Sequence, residues 1–80
     1  MILAAVYDRA TQAHGPVMTF RTNGEAIRSF AQEAKNAQGQ ISKSAPDFEL
    51  WKLADYNEET GDITSNRERL SRAEDYTQGA

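Results

Sequence analysis

Residues 45–65, APDFELWKLADYNEETGDITS, constrain this chain more than any other stretch. Pro46 closes a loop, residues 48–56 form the longest aromatic and aliphatic run, and residues 57–61 suit a type I turn with Gly61 in the left-handed position. The stretch reads as a β-hairpin with a short return strand whose one apolar residue is Ile63. It carries the only Trp of the chain. Alternation puts Phe48, Leu50, Ala54 and Tyr56 on one face and Trp51 and Leu53 on the other, so both faces look apolar and most of the core should be built against this hairpin.

The other elements follow from local patterns. Residues 2–7, ILAAVY, are apolar throughout, as in a strand buried on both faces in the middle of a sheet. Residues 9–15 are a polar connection, and Pro16 opens an edge strand over residues 17–21, with Met18 and Phe20 on one face. Thr22 and Glu25 form a T-x-x-E capping box, after which Ile27, Phe30, Ala31 and Ala34 recur at helical spacing. Gly39 is placed to end that helix and Ile41 to anchor the following loop. From Asn66 onward Arg67, Arg69 and Arg72 are interleaved with Glu68, Glu74 and Asp75, and only Leu70, Ala73 and Tyr76 could anchor a helical turn. The expected organisation is one α+β domain over residues 1–65 and a frayed or partner-dependent tail over residues 66–80.

The order β-β-α-β-β implies a four-stranded antiparallel sheet in the spatial order 2-1-3-4 with one helix on one face. A sheet of four strands is ~15–19 Å wide and a helix covers only ~10 Å, so a single helix leaves one face open. Trp51 and Leu53 lie on that face, and a second copy of the chain is the expected cover, making these two residues the expected oligomer interface, with the tail folding back over the face as the alternative. With no Cys among 80 residues, folding rests on packing and not on disulfides or thiolate metal sites. The apolar opening lacks a basic flank and is far short of the ~20 residues of a membrane span, so no membrane association is expected.

The formal net charge of -3 argues against a protein that coats nucleic acid by bulk electrostatics. The acidity is local: Asp55, Glu58, Glu59 and Asp62 cluster at the hairpin tip. The tip departs from a calcium loop, because a loop starting at Asp55 would need Gly at position 60 and Glu at position 66, where Thr60 and Asn66 stand. His14 is the only His, which leaves no transition-metal set and no catalytic pair, and phosphate-binding, dinucleotide and nucleophile-elbow motifs are absent from the sequence. A non-enzymatic protein without cofactor or metal is expected. Cations at Arg9, Arg21, Arg28, Lys43 and Lys52, with rings at Tyr7, Phe20, Trp51 and Tyr56, supply the two ingredients of a single-strand nucleic-acid site. Phe20, Phe30 and Phe48 read as core, whereas Trp51 and Tyr56 suit core and stacking equally. The tail arginines are a second set of phosphate contacts, offset by their acidic neighbours; a solvated helix face accounts for them better.

Tyr7-Asp8, Gly15-Pro16, Ala26-x-Arg28-x-Phe30, Pro46-Asp47-Phe48-x-Leu50-Trp51, Tyr56 and Thr60-Gly61, taken as an ordered set, resemble the small nonstructural protein of gokushovirus-type Microviridae, single-stranded DNA phages of bacteria. The resemblance runs over residues 1–65. It departs at Ala54, where the family often has Gly, and at residues 17–20, which are often richer in Pro and Phe. It implies a non-virion protein of the infected bacterial cytoplasm that binds DNA, single-stranded by this reading, as an oligomer. Its implied role is in the switch from duplex replication to single-strand synthesis or packaging. Arg28 is the position that transfers from it, and a helix cap or ion pair describes Arg28 as well as DNA contact does. The alternative is an adaptor whose acidic tip or apolar face docks on the replication initiator or the procapsid.

Overall fold

The computed structural model describes residues 1–77. It is an α+β fold: β1 (Ile2–Asp8), β2 (Ala13–His14), β3 (Met18–Phe20), α1 (Asn23–Lys35), α2 (Gln40–Lys43), a 3-10 turn (Ala45–Asp47), β4 (Phe48–Tyr56), β5 (Ile63–Arg72) and α3 (Glu74–Thr77). The sheet is antiparallel in the order β2-β1-β4-β5, and β3 pairs with β1 on the same edge as β2. The class is as expected, but the sheet has five strands and not four: β2 is an added strand within the segment that reads as a connection, and it shares the outer edge of β1 with the expected strand, here β3. The break between β2 and β3 falls at Pro16, which has no N–H to give to a ladder: Gly15 still donates to Val6 at 2.8 Å, and pairing resumes only at Met18.

α1 starts where the capping box places it. The Thr22 hydroxyl accepts from the Glu25 N–H at 3.1 Å, while the Glu25 carboxylate reaches back to the Arg21 N–H at 3.4 Å. The helix is shorter than the pattern suggests: Asn36, not Gly39, ends it, and Gly39 instead precedes α2 in what reads as a plain loop from sequence. Ala26, Phe30 and Ala34 form its buried line, four residues apart. With Ile2, Ala4, Ala45, Leu50 and Ala73 they make the core, and Val6, Phe20, Ile27, Ile41, Phe48, Leu70 and Tyr76 pack around it. Five of these eight core residues are alanine, so the helix backbone can lie close to the sheet while Phe30 and Leu50 supply the bulk.

Two expectations are overturned in the hairpin. The return strand is not short: β5 has ten residues and occupies much of the segment that reads as a tail. The backbone of β4 pairs with it from Tyr56↔Ile63 to Glu49↔Arg72, so main-chain hydrogen bonding holds a strand too polar to be placed by burial. Beyond it Ala73, fully buried, donates to the Phe48 carbonyl at 3.1 Å. Tyr76 meets Phe30 edge-on at a centroid distance of 6.4 Å, and its hydroxyl lies 2.6 Å from that of Ser71. Residues 78–80 of the expected tail lie outside the described residues.

The second correction is a β-bulge. In β4, Lys52 pairs with Ala4 and Ala54 with Leu3, so Leu53 is an extra residue that resets the alternation. Ala54 consequently joins the face of Leu3, Ala5 and Trp51 and leaves that of Phe48 and Leu50. At the hairpin tip the Asn57 side chain accepts from Glu59 and Thr60 N–H groups at 2.9 and 3.3 Å, and Gly61 takes φ 81°, as its turn position requires.

Leu50 is 1% exposed at the centre of the core. Leu50→Ala should cost ~2–5 kcal/mol, a large part of the ~4–12 kcal/mol available to a domain this size. Tyr76→Phe, which keeps the ring on Phe30 and loses the hydroxyl contact, should cost ~1 kcal/mol. Urea unfolding midpoints at unchanged slope check both, and a silent Tyr76→Ala would show that α3 does not belong to the cooperative unit.

Candidate nucleic-acid interface

The helix-free face of the sheet is assembled by register. Side chains of paired antiparallel residues point the same way, so Ala5↔Trp51, Tyr7↔Glu49 and Tyr7↔His14 place these residues on one side, opposite Ala4, Val6 and Leu50. Trp51↔Arg69 and Glu49↔Arg72 add arginines of β5 to the same side. Arg67, two residues from Arg69, also lies there, whereas Glu68 pairs with Lys52 and points to the helix side. The mixed charges of the tail are thus sorted by strand period: arginines on the open face, the intervening glutamate on the other.

Trp51 is the centre of this face. It is only half-buried, and its cover comes from within the chain. The Arg67 guanidinium lies 5.5 Å from the indole centroid. The indole N–H donates to Glu49 Oε1 at 3.0 Å, and the other Glu49 oxygen takes Arg69 at 3.3 Å. Glu49 is buried, so its two partners offset its desolvation and fix the ring orientation. Arg72 is occupied by Glu74 and Asp75, both at 3.0 Å, and the Asp75 hydrogen bond raises its already high pKa. Among the described residues Arg67 is in no ion pair, which leaves its charge available.

Beside Trp51 is a concavity of about 440 Å³ lined by Tyr7, Gln12, His14, Trp51 and Arg67. The β1–β2 hairpin builds its far wall. Asp8 accepts from the Ala10 N–H at 2.9 Å to open the turn, Gln12 closes it at φ 57°, and His14 then stands over Tyr7 with centroids 4.8 Å apart. Sequence reading missed this hairpin, and with it Gln12 and His14. The available signal was Asp8, a turn-opening residue directly after an apolar strand.

The cations expected to contact nucleic acid are not brought together. Arg9 follows β1, and Arg21 follows β3, whose Phe20 pairs with Ile2, so these two exposed side chains sit at opposite ends of a strand ~20 Å long. Arg28 is on the solvent side of α1 and Lys43 ends α2, both exposed. Lys52 is 9% exposed on the helix side and holds Asp55 at 2.9 Å, so its charge is already partnered. Tyr56 is half-buried at the end of β4, with its main chain bonded to Met1. Leu53, half-buried, occupies the bulge, off the pairing that aligns Trp51. Among the described residues no group of three or more His, Asp or Glu is placed to hold a metal, and no helix is long and apolar enough to cross a membrane.

A family model described as "Phage ORF5 protein" matches residues 1–76. The chain belongs to the phage ORF5 protein family. The match spans both strands of the hairpin and all but the last residue of α3, so the whole of the site described above falls within it. No curated protein and no solved structure matches the chain.

The Lys52–Asp55 pair makes an acid prediction. The Lys52 hydrogen bond, followed by that from Asn66 at 2.8 Å, holds the Asp55 carboxyl below its ordinary value. A depressed folded pKa gives stability that is complete above the unfolded value of ~3.9 and is lost as pH falls through the folded one. Urea midpoints should therefore drop below about pH 4, and Asp55→Asn should flatten part of that drop. Identical acid limbs for the two proteins would show that the pair carries no pH dependence.

Proposed function

We propose that this phage ORF5 protein is a non-enzymatic accessory protein, of the kind made by gokushovirus-type Microviridae, that binds single-stranded DNA on the helix-free face of its sheet. The observation that carries this reading is the gathering of Trp51, Tyr7 and His14 with Arg67 and Arg69 on one face. Flat rings stack on bases of any sequence and arginines take phosphates, which is how strands are held without sequence preference. Arg67 and Tyr7 thus take the role expected of Lys52 and Tyr56, Arg69 adds a cation that already holds Glu49, and Arg9, Arg21, Arg28 and Lys43 serve as peripheral cations. A duplex presents its phosphates outward and its bases stacked inside, so the rings favour single strands.

The acidic tip does not defeat this. Asp55, across from Thr64, is held by Lys52 on the helix side, and Asp62, just before β5, is five residues from Arg67, ~17 Å at strand rise and twice the ~8 Å screening length of physiological salt. In the infected bacterial cytoplasm, outside the mature virion, the protein would hold the displaced strand during the change from duplex replication to single-strand synthesis or packaging. A second copy is required only if Trp51 lacks cover within the chain, and Arg67 with Glu49 supplies that cover. A single chain therefore suffices to bind DNA in this way, and self-association through Leu53 and Trp51 is an addition that sedimentation velocity tests.

A second reading is favoured by the tip itself. The hairpin loop projects Glu58, Glu59 and Asp62, all exposed, and the molecule is 42 Å long against 18 Å thick. Such a projection suits an adaptor docking on a basic surface of the replication initiator or procapsid.

Fluorescence anisotropy with single- and double-stranded oligonucleotides at two salt concentrations separates the two readings. DNA binding predicts a preference for single strands, affinity falling with a log–log slope of ~0.7 per phosphate contacted, and a shallower slope for Arg67→Ala. The adaptor predicts no binding to either strand form at low salt and a retained protein partner that is lost on Glu58→Lys.

A further inference from the structure

We propose that the concavity beside Trp51 is a pocket for one unpaired nucleobase, with Arg67 as the group that yields the indole to the base and takes its phosphate. This rests on the single-strand reading above and adds to it a bound unit and a set of contacts. The pocket has about 440 Å³, within the ~300–1,000 Å³ of small-ligand sites. Its walls are of the right kind for a flat, polar-edged ring: the Trp51 indole, the Tyr7–His14 pair 4.8 Å apart, and Gln12.

Gln12 is the second observation pointing to a ligand. It is the one non-glycine with positive φ among the described residues, in a turn where Gly or Asn would relieve the conformation. A Gln at that position gains nothing for the turn. Its primary amide offers both a donor and an acceptor, the complement of a base edge.

Arg67 occupies the indole face in the free protein, through a cation–π contact worth roughly 2- to 5-fold in an equilibrium at an exposed site. Stacking one base on an aromatic ring is worth roughly 5- to 150-fold. Exchange of guanidinium for base therefore runs toward the complex, and the displaced guanidinium, in no ion pair among the described residues, is left beside the nucleotide's own phosphate. Glu49 keeps the indole fixed while this happens, because it accepts from the N–H edge and leaves the faces free, and Arg69 holds the other oxygen of Glu49.

The test compares a short oligothymidylate with an abasic strand of the same length and charge, read by anisotropy and by quenching of the fluorescence of Trp51, the only Trp. The pocket predicts roughly 5- to 150-fold tighter binding of the oligothymidylate and quenching with it alone. Gln12→Gly should weaken the oligothymidylate, leave the abasic strand unchanged and not lower the urea midpoint; Trp51→Ala should abolish the difference between the strands. Equal binding of both strands without quenching overturns the pocket and leaves phosphate binding standing. No binding of either strand at low salt overturns the single-strand reading and the pocket with it.

Discussion

One helix about 10 Å across lies on a sheet ~15–19 Å wide, and it has only one side to cover. Everything else follows from that mismatch. On the covered side the chain uses alanines at positions 4, 26, 34, 45 and 73 to bring helix and sheet together around Phe30 and Leu50. On the other side no helix covers the sheet among the described residues, and the single Trp is half-buried under charged groups. A guanidinium covers an indole face better than water does and still carries charge outward, which makes the same contact both cover and binding surface.

β5 shows how a strand converts an uninformative charge pattern into an organised one. Read at helical period, Arg67, Glu68, Arg69 and Arg72 are a mixed, solvated surface. Read at period two, with the extra residue Leu70 between Leu50↔Ser71 and Trp51↔Arg69, the arginines fall on the Trp51 face and Glu68 on the other. The strand is held by β4 main chain and by Leu70, Ala73 and Tyr76 reaching the core, not by an apolar face of its own. This is why composition alone places it in a tail: an edge strand whose stability is borrowed from its neighbour has no hydrophobic signature.

The bulge at Leu53 and the turn at Gln12 set the geometry of the open face. Without the extra residue in β4, Ala54 would sit with Leu50 and the alternation would run on unbroken from Lys52. With it, Lys52 and Asp55 both point to the helix side and pair there. The candidate cations that sequence reading put forward were chosen by their sign, which is visible, and scattered by their faces, which are not. Arg9 and Arg21 end at opposite ends of β1, and Arg28 and Lys43 on α1 and α2, while Arg67, discounted for its acidic neighbours, ends over the Trp.

The sequence by itself determined the class of the fold, the centrality of β1 and β4, the cap at Thr22 and the glycine turn at the hairpin tip. These depend on near neighbours and on periodicity, both written in local residue order. Its ordered motifs also pointed to a phage protein, which membership of the phage ORF5 family bears out. Only the tertiary structure decided the length of β5, the bulge in β4 and the company of Trp51. Those depend on which backbone groups find partners across the sheet, and a one-residue shift there moves a side chain from one face to the other.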